Sequence, residues 1–324
     1  MQDLIPAFDF QQHILAPWRD NIGMFGWIVL MGFLVTTACG LIGNYLVLRR
    51  MSLVGDAISH SILPGIALAF FFAQSRHSWV MFLGALAAGI LTTILIETIH
   101  RRTRVKQDSA IGIVFSTLFA IGVVLISVFA GDIDLDADCV LYGDISFVPL
   151  EPMVSIAGHE IAPQPVFLMG AVTIGVALLI LLFYKELLVS SFDPGLGASL
   201  GFNQVVVHYS LMCALSVVVV SAFQSVGAIL VIAMLILPGA TSYLLTSRLP
   251  RMMLLSVTHS AISAVIGLHL GVWLDCSIAA AMVVAGTFLF ALAWLFSPTQ
   301  GLMRYLLSPP EVIDQSRETT AASA

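Results

Sequence analysis

Charged residues are scarce in this chain. Only 10% of its 324 residues are charged and 59% are hydrophobic, whereas soluble globular domains contain about 25% charged residues. This composition excludes an ordinary soluble fold and predicts an integral membrane protein. The net charge is −6, and we expect no nucleic acid among its partners.

Two signatures of enzymes are missing. The chain has only two lysines, Lys106 and Lys185, and neither completes the G-x-x-x-x-G-K-[ST] loop that binds nucleotide phosphates. There is also no H-E-x-x-H pair that would hold a catalytic zinc ion. We therefore predict that the chain is not an enzyme, which disfavours an intramembrane metalloenzyme and leaves any ATP hydrolysis to a separate subunit.

Calcium and disulfide sites are weakly supported. An EF-hand loop starting at Asp132 needs glycine and glutamate where this chain has Ala137 and Gly143. The acidic run is therefore expected to be a solvated loop, with an electrostatic funnel or docking surface for a cation-carrying partner as the alternative. Four cysteines are too few for a disulfide framework. A bridge between Cys139 and Cys276, both predicted on the outer side, stays open. We expect no permanently bound cofactor.

Nine hydrophobic windows are long enough to cross a bilayer as helices, with eight spans as the alternative. The windows lie near residues 24–48, 51–73, 79–99, 109–130, 165–184, 205–223, 225–246, 252–274 and 278–296. Lys and Arg accumulate on the cytoplasmic side of membrane proteins. An outer N-terminus leaves only Arg19 and Arg76 of the 13 basic residues outside. This predicts that the C-terminus is cytoplasmic.

The windows indicate one membrane domain, residues 23–297, because no loop is long enough to fold separately. Residues 1–22 lack the basic start and apolar centre of a cleavable signal, and we expect them to form an interfacial arm on the outer side. Residues 298–324 are expected to form a cytoplasmic tail with a disordered end.

The second window carries a polar stripe. Asp56 and His60 are one helical turn apart, and Ser52 and Ser59 share their stripe. An ionisable residue within a membrane costs about 2.5 to 3.5 kcal/mol and normally faces a bundle interior or a water-filled path. Residues four apart on a helix have Cβ atoms about 5 to 6 Å apart, so the carboxylate and the imidazole can reach one cation.

Oxygen and imidazole ligands suit Mn²⁺, Fe²⁺ or Zn²⁺. One chain supplies only Asp56 and His60, whereas a two-fold dimer would supply four side-chain ligands. Two alternatives stay open. The pair can be a buried hydrogen bond that only fixes helix packing, or it can be the proton relay of a secondary transporter.

Two prolines interrupt apolar windows. Pro64 cannot donate a hydrogen bond to the His60 carbonyl, so a kink is expected there, and Pro238 has the same effect on Met234. The tetrapeptide Ile-Leu-Pro-Gly occurs at both places, in windows that the predicted topology makes antiparallel. This pattern points to an inverted repeat around a central pathway, with chance recurrence as the alternative. Candidates to line the pathway are Ser52, Ser59, Pro64 and Pro238.

Other polar residues have simpler interpretations. Asp193 can cap a helix that starts at Pro194 and ends at Gly201, which predicts a two-turn helix at the cytoplasmic surface. Glu97 and Arg101 are spaced for an ion pair on one helix. Further predictions are a helix cap at Asp108 and packing roles for His259 and His269.

Five blocks of the sequence together resemble a known family. The most specific block is LRRMSLVGDAISHSILPGIALAF, residues 48–70. The others are DSAIGIVFSTLFAIGVVLIS (108–127), LYGDI (141–145), SFDPGLGASLG (191–201) and VGAILVIAMLILPGATSYLL (226–245). Over about residues 28–296 the chain is similar to the permease subunits of bacterial ATP-binding-cassette importers for manganese, zinc and iron.

The resemblance implies an all-α, polytopic permease with eight or nine transmembrane helices and the fold of the vitamin B12 importer, a type II importer. The implied location is the bacterial inner membrane. The implied partners are a second permease protomer, in a homodimer or a heterodimer, two cytoplasmic ATP-binding subunits and an extracytoplasmic metal-binding protein.

The resemblance also assigns residues. Asp56 and His60 match the intramembrane metal ligands of the family. The segment after the fifth window matches the helix that couples to the ATPase, namely Asp193, Pro194, Gly195, Ala198, Leu200 and Gly201. The form of the motif that contains Pro64 is similar to that of the manganese and iron branch of the family. We therefore expect the transported ion to be manganese, with zinc or iron as alternatives.

Overall fold

The computed structural model describes residues 9–73, 78–129, 145–156, 158–297 and 301–303. Almost all of them are helical. The α-helices are α1 (Ala16–Asp20), α2 (Ile22–Leu48), α3 (Leu53–Ser61), α4 (Leu63–Ala73), α5 (Ser78–Arg102), α6 (Gln107–Phe129), α7 (Gln164–Leu182), α8 (Tyr184–Phe192), α9 (Pro194–Ser199), α10 (Gln204–Val226), α11 (Ala228–Leu245), α12 (Leu249–Leu274) and α13 (Ile278–Phe296). This confirms the all-α prediction.

Eight helical segments of the described chain are long and apolar enough to cross a membrane. They are Ile22–Leu48, Leu53–Ala73, Trp79–Arg102, Gln107–Val128, Gln164–Leu182, Gln204–Phe223, Leu249–Leu274 and Ile278–Phe296. The remaining predicted window forms α11, whose apolar part, Leu230–Leu245, is shorter. The whole of α11, 18 residues, spans about 27 Å as a helix, close to a hydrocarbon core of about 30 Å. Because α7 and α13, with 19 residues each, are counted among the eight candidate spans, length alone does not decide between eight and nine crossings.

The second window is not one helix. It divides at Ile62 into α3 and α4, next to Pro64, which has no N–H for the His60 carbonyl. The helical pattern is thus interrupted where Pro64 predicts it, while Ile62 keeps a right-handed helical backbone, at φ −76° and ψ −20°; a kink there stays a prediction. Before it, α2 ends with Arg50 in the left-handed conformation, at φ 58°. The backbone N–H of Met51 donates to the Leu46 carbonyl at 2.9 Å, which closes the helix with a Schellman-type turn.

A small hairpin follows α6. A 3-10 helix, Ile145–Leu150, leads into antiparallel strands β1 (Met153–Ile156) and β2 (His159–Pro163). The register is irregular between Val154 and Ser155, and the sequence did not predict this hairpin. The acidic run after Asp132, Cys139 and most of the predicted tail lie outside the described residues.

The core is built around α2 and α11, which pack against each other and against α12. Close approach is possible because Gly43 has no side chain: a Cβ there would overlap the Leu235 carbonyl oxygen. Beside this contact the Asn44 Oδ1 accepts hydrogen bonds from Ser242 Oγ at 2.8 Å and Ser256 Oγ at 3.1 Å. Small residues and shared hydrogen bonds hold membrane helices together where burial in lipid gives no driving force.

The N-terminal arm is attached to the helical bundle. Trp18 Nε1 donates to His269 Nε2 on α12 at 3.0 Å, and His269 Nδ1 lies 2.8 Å from the Val265 carbonyl oxygen. The prediction that His269 is a packing histidine is confirmed. His259 is also buried, but its Nδ1 has no hydrogen-bond partner within the described part of the chain.

Candidate functional site

The short helix α3 presents Asp56 and His60 together. His60 Nε2 lies 3.4 Å from Asp56 Oδ1, with the Asp56 side chain 39% exposed and the His60 side chain 24% exposed. Their neighbours Ala57, Ile58 and Ser59 are buried. The Asp56–His60 pair therefore faces outward from the packed bundle of this single chain, which distinguishes it from a sealed packing contact.

The spacing of the two candidate ligand atoms suits a metal ion. Two atoms that each lie about 2.1 Å from one ion are about 3.0 to 3.4 Å apart at octahedral and tetrahedral angles. The observed separation of 3.4 Å is within this range. Within the described residues no group of three or more His, Cys, Asp and Glu side chains can hold a metal ion. One chain thus brings two candidate ligand side chains together here, and their role as metal ligands stays a prediction.

Helix α6 forms an aromatic wall beside His60. The His60 ring centroid lies 5.4 Å from that of Phe115 and 6.0 Å from that of Phe119. These rings restrict the imidazole to a few orientations. Sequence analysis did not identify them, because an aromatic residue on an apolar helix usually faces lipid or core.

Gly122 of α6 lets that helix approach the interruption at Ile62. A Cβ on this glycine would lie 2.8 Å from Leu63 Cβ and 2.9 Å from Pro64 Cδ. Pro64 is therefore buried against α6 and directly follows the helix that carries the Asp56–His60 pair. The broken helix and its aromatic wall are packed as one unit.

The other predicted lining residues are placed differently. Ser52 is half-buried just before α3, whereas Ser59 is buried and its hydroxyl donates to the Gly55 carbonyl at 3.0 Å. Pro238 packs against Gly40, and its carbonyl accepts from Ser256 Oγ at 3.2 Å. The structure thus keeps Pro238 in the contact between α2, α11 and α12. A role of these residues in lining a pathway stays a prediction.

The two Ile-Leu-Pro-Gly segments share a packing role. A Cβ on Gly65 would overlap the Gly84 carbonyl oxygen of α5, and a Cβ on Gly239 would lie 3.1 Å from the Gly43 carbonyl carbon of α2. Both glycines permit direct contact between the backbones of two helices. An inverted repeat remains a prediction that this correspondence supports.

The predicted surface helix is present as α9. Asp193 Oδ1 accepts from the Leu196 backbone N–H at 2.9 Å, Pro194 occupies the first turn, and Gly201 follows with φ 87°. The N–H groups of Gly201 and Phe202 donate to the carbonyls of Ala198 and Gly197, which is the Schellman pattern. The predicted cap, start and end are confirmed.

Arg49 connects this region to the helix before the Asp56–His60 pair. Its guanidinium donates to Ser191 Oγ at 3.1 Å and to Ser190 Oγ at 2.6 Å on α8. Burial lowers the pKa of the Arg49 guanidinium from its ordinary value. The ends of α2 and α8 are thereby held together, one residue before the left-handed turn at Arg50.

A second cluster of charged residues lies between α5 and α10. The predicted Glu97–Arg101 ion pair is confirmed, but Glu97 Oε2 also lies 2.9 Å from His208 Nε2. Sequence analysis did not identify His208, because local spacing relates only residues of one helix. The predicted cap at Asp108 is wrong: α6 begins at Gln107, and Asp108 lies inside its first turn, where a carboxylate still favours the helix dipole.

Comparison with known proteins adds four similarities. The ABC 3 transport family matches residues 22–297. The chain is 43% identical over 277 residues to the manganese transport system membrane protein MntD of Bacillus subtilis, covering 86% of this chain and 93% of that protein. It is 45% identical over 280 residues to the zinc transport system membrane protein TroD of Treponema pallidum, covering 86% and 76%. The solved structure of PsaBC from Streptococcus pneumoniae in complex with Fab includes a chain with TM-score 0.74 and 33% identity, covering 92% and 99%.

Proposed function

The chain belongs to the ABC 3 transport family, and from that membership we propose that it is the permease subunit of an ATP-driven importer of divalent metal ions, with manganese as its cargo. One similar protein is named for manganese transport and another for zinc transport, so zinc is the second candidate. A carboxylate with an imidazole accepts either ion.

One observation carries this proposal. Asp56 Oδ1 and His60 Nε2 lie 3.4 Å apart on an interrupted apolar helix, and both side chains are partly exposed. A divalent ion that enters the membrane must exchange water ligands for protein ligands. Two side chains, with the carbonyl of His60 left without its usual helical partner by Pro64, replace part of the hydration shell. Incomplete ligation also allows the ion to leave again.

A second protomer would complete the site. Two chains related by a two-fold axis would bring two carboxylates and two imidazoles to the same ion. The partial exposure of Asp56 and His60 in a single chain supports such an arrangement, because a closed site would leave no surface for the partner.

Helix α9 is the proposed contact with the cytoplasmic ATPase. Phe192, Leu196 and Leu200 are exposed by 55%, 49% and 58%. Apolar side chains on a short, capped surface helix are typical of a protein interface. The turn geometry set by Asp193, Pro194, Gly195, Ala198 and Gly201 would hold this surface in shape.

On the opposite side we propose contact with an extracytoplasmic metal-binding protein. The distribution of Lys and Arg favours an outer location for the N-terminal arm and the β-hairpin. The cycle would then begin with metal delivery from that side. ATP-driven movement, received at α9, would open the route from Asp56 and His60 to the cytoplasm.

Metal uptake tests the role of the pair. We expect Asp56→Asn and His60→Gln each to reduce uptake of radioactive manganese by about ten-fold or more, since each removes one ligand worth over about 1.4 kcal/mol. Uptake should be measured at equal permease abundance in cells that lack other manganese importers.

Matched controls are available on neighbouring helices. Asp108 and His100 are exposed, so Asp108→Asn and His100→Gln remove the same functional groups without touching the pair, and uptake should stay normal. Normal uptake in both pair variants would contradict the assignment. Metal uptake that depends on ATP hydrolysis and persists after collapse of the proton gradient separates this importer from a secondary transporter. Competition for uptake among manganese, zinc and iron identifies the cargo.

A further inference from the structure

The second charged cluster joins the inner end of α5 to the first turns of α10. Glu97 accepts from Arg101 at one carboxylate oxygen and lies 2.9 Å from His208 Nε2 at the other. The side chains of Glu97 and His208 are only 7% and 13% exposed. We propose that Glu97 and His208 are positioning residues that transmit movement of α9 to α3, the helix that carries the Asp56–His60 pair. This inference rests on the proposed import function.

The cluster is not a second ion site on the pathway. Both oxygens of Glu97 are already engaged, one of them by a guanidinium whose charge opposes a metal ion. Residues two apart on a helix point in opposite directions, so Ile58 lies on the side of α3 opposite Asp56 and His60. Ile58 Cγ2 would lie 3.3 Å from a Cβ on Gly89 of α5. The interface of α5 with α10 is therefore behind α3, away from the Asp56–His60 pair.

The cluster is joined to α9 by a short and ordered connection. The Schellman turn at Gly201 closes α9, and Asn203 Oδ1 then accepts from the backbone N–H groups of Val205 and Val206 at 3.1 and 3.3 Å, which caps α10. Gln204 packs directly beneath Gly197. His208 lies in the second turn of α10, so few residues between α9 and His208 can absorb a displacement of α9.

From Glu97 the path continues along α5 to the interrupted helix. Helix α5 is continuous from Ser78 to Arg102, and its backbone contacts that of α4 where Gly84 meets Gly65. Helix α4 begins immediately after the interruption at Ile62. This interruption is the deformable element of the path, because Pro64 removes the hydrogen bond that would make α3 and α4 one rigid helix.

The chemistry of the cluster favours positioning over simple cohesion. A buried carboxylate held by polar partners contributes little net stability compared with apolar packing of the same size, yet it specifies which residues face each other. The next polar contact of the same interface, Thr93 Oγ1 with Ser216 Oγ at 3.3 Å, is uncharged. Glu97 and His208 thus fix the register of α5 against α10 at the end nearest α9.

The test separates transport from ATP hydrolysis. In the full permease assembled with its ATPase and reconstituted in vesicles, we expect His208→Leu and Glu97→Gln to keep basal ATP hydrolysis within about two-fold while manganese uptake falls about ten-fold. The ATP consumed per ion transported then rises. His208→Gln keeps an N–H donor and should restore most of the uptake. Thr93→Val, in the same interface, is the matched control and should leave the ATP consumed per ion unchanged.

Several results would overturn the proposal. If uptake and ATP hydrolysis fall in parallel in His208→Leu and Glu97→Gln, the cluster only stabilises the fold. The same conclusion follows if these variants consume no more ATP per ion than Thr93→Val. If Glu97→Gln reduces the amount of assembled complex, the comparison of His208→Leu with His208→Gln decides. Equal ATP consumption per ion in these two variants would reject the positioning role. Failure of the proposed import function is recognised separately, because the unmodified complex would then show no ATP-dependent uptake.

Discussion

The absence of a side chain at Gly65 sets how closely α4 approaches α5. A Cβ there would overlap the Gly84 carbonyl oxygen and lie 2.6 Å from Ala88 Cβ, and neither backbone atoms nor an alanine methyl can rotate away. We expect Gly65→Ala to force the helices apart at a cost of about 1 to 3 kcal/mol. A lower melting temperature of the detergent-solubilised permease would report this loss.

Gly112 provides the control for that substitution. It lies in α6, where an added Cβ would have no other atom within 4 Å, so Gly112→Ala adds the same methyl group without a clash. Alanine is the better helix former by about 1 kcal/mol, and the melting temperature should stay the same or rise. Equal melting of Gly65→Ala and the unmodified chain would disprove direct backbone contact between α4 and α5.

Single residues also show what the sequence can predict. Asp56 and His60 were identifiable because both lie on one helix, where a spacing of four residues fixes their proximity. His208 was not, because its contact with Glu97 depends on how two distant helices cross. Phe115 and Phe119 were missed for the same reason, since apolar composition does not distinguish a ring that faces His60 from one that faces lipid.

At the scale of elements, Pro64 separates α3 from α4. We expect Pro64→Ala to restore the hydrogen bond to the His60 carbonyl and to join the two helices into one. A proline inside a helix costs about 3 kcal/mol, so thermal stability should be unchanged or higher, while manganese uptake falls. Melting temperature and uptake, measured on the same preparations, test whether uptake falls while stability is kept or raised.

Pro250 is the control for that experiment. It is an exposed residue in the first turn of α12, where no intrahelical partner is lost, so Pro250→Ala should change neither quantity. Unaltered uptake in Pro64→Ala would show that transport does not need an interrupted helix.

Elements were predictable where hydropathy and caps determine them. Asp193, Pro194 and Gly201 define α9 through local backbone chemistry alone. The windows 205–223 and 225–246 anticipated a break between α10 and α11, but its position at Gly227, at φ 81°, was not predictable, because it lies inside a mostly apolar stretch. The hairpin was missed since strands of four and five residues with an irregular register carry little alternation.

For the whole molecule, the decisive question is whether α11 crosses the membrane. With 18 residues it is slightly shorter than the eight candidate spans, and it packs against α2, α12 and α13 and so meets protein more than lipid. With the predicted outer N-terminus, a crossing by α11 places Arg248 and Arg251 on the cytoplasmic side, in agreement with the other basic residues. If α11 does not cross, these residues and everything after them lie on the opposite side.

Cys276 distinguishes the two topologies. It is a free, exposed thiol in the turn between α12 and α13. The first variant is Cys139→Ser. We expect a membrane-impermeant maleimide to label its Cys276 in intact spheroplasts, because nine crossings from an outer N-terminus place this turn outside.

The second variant is the control, and it adds Cys276→Ser and Ser199→Cys to Cys139→Ser. Ser199 is exposed at the end of α9, on the predicted cytoplasmic side, so the new cysteine should be labelled only after permeabilisation. Labelling of both positions only after permeabilisation would mean that α11 does not cross and that the chain has eight crossings instead of nine.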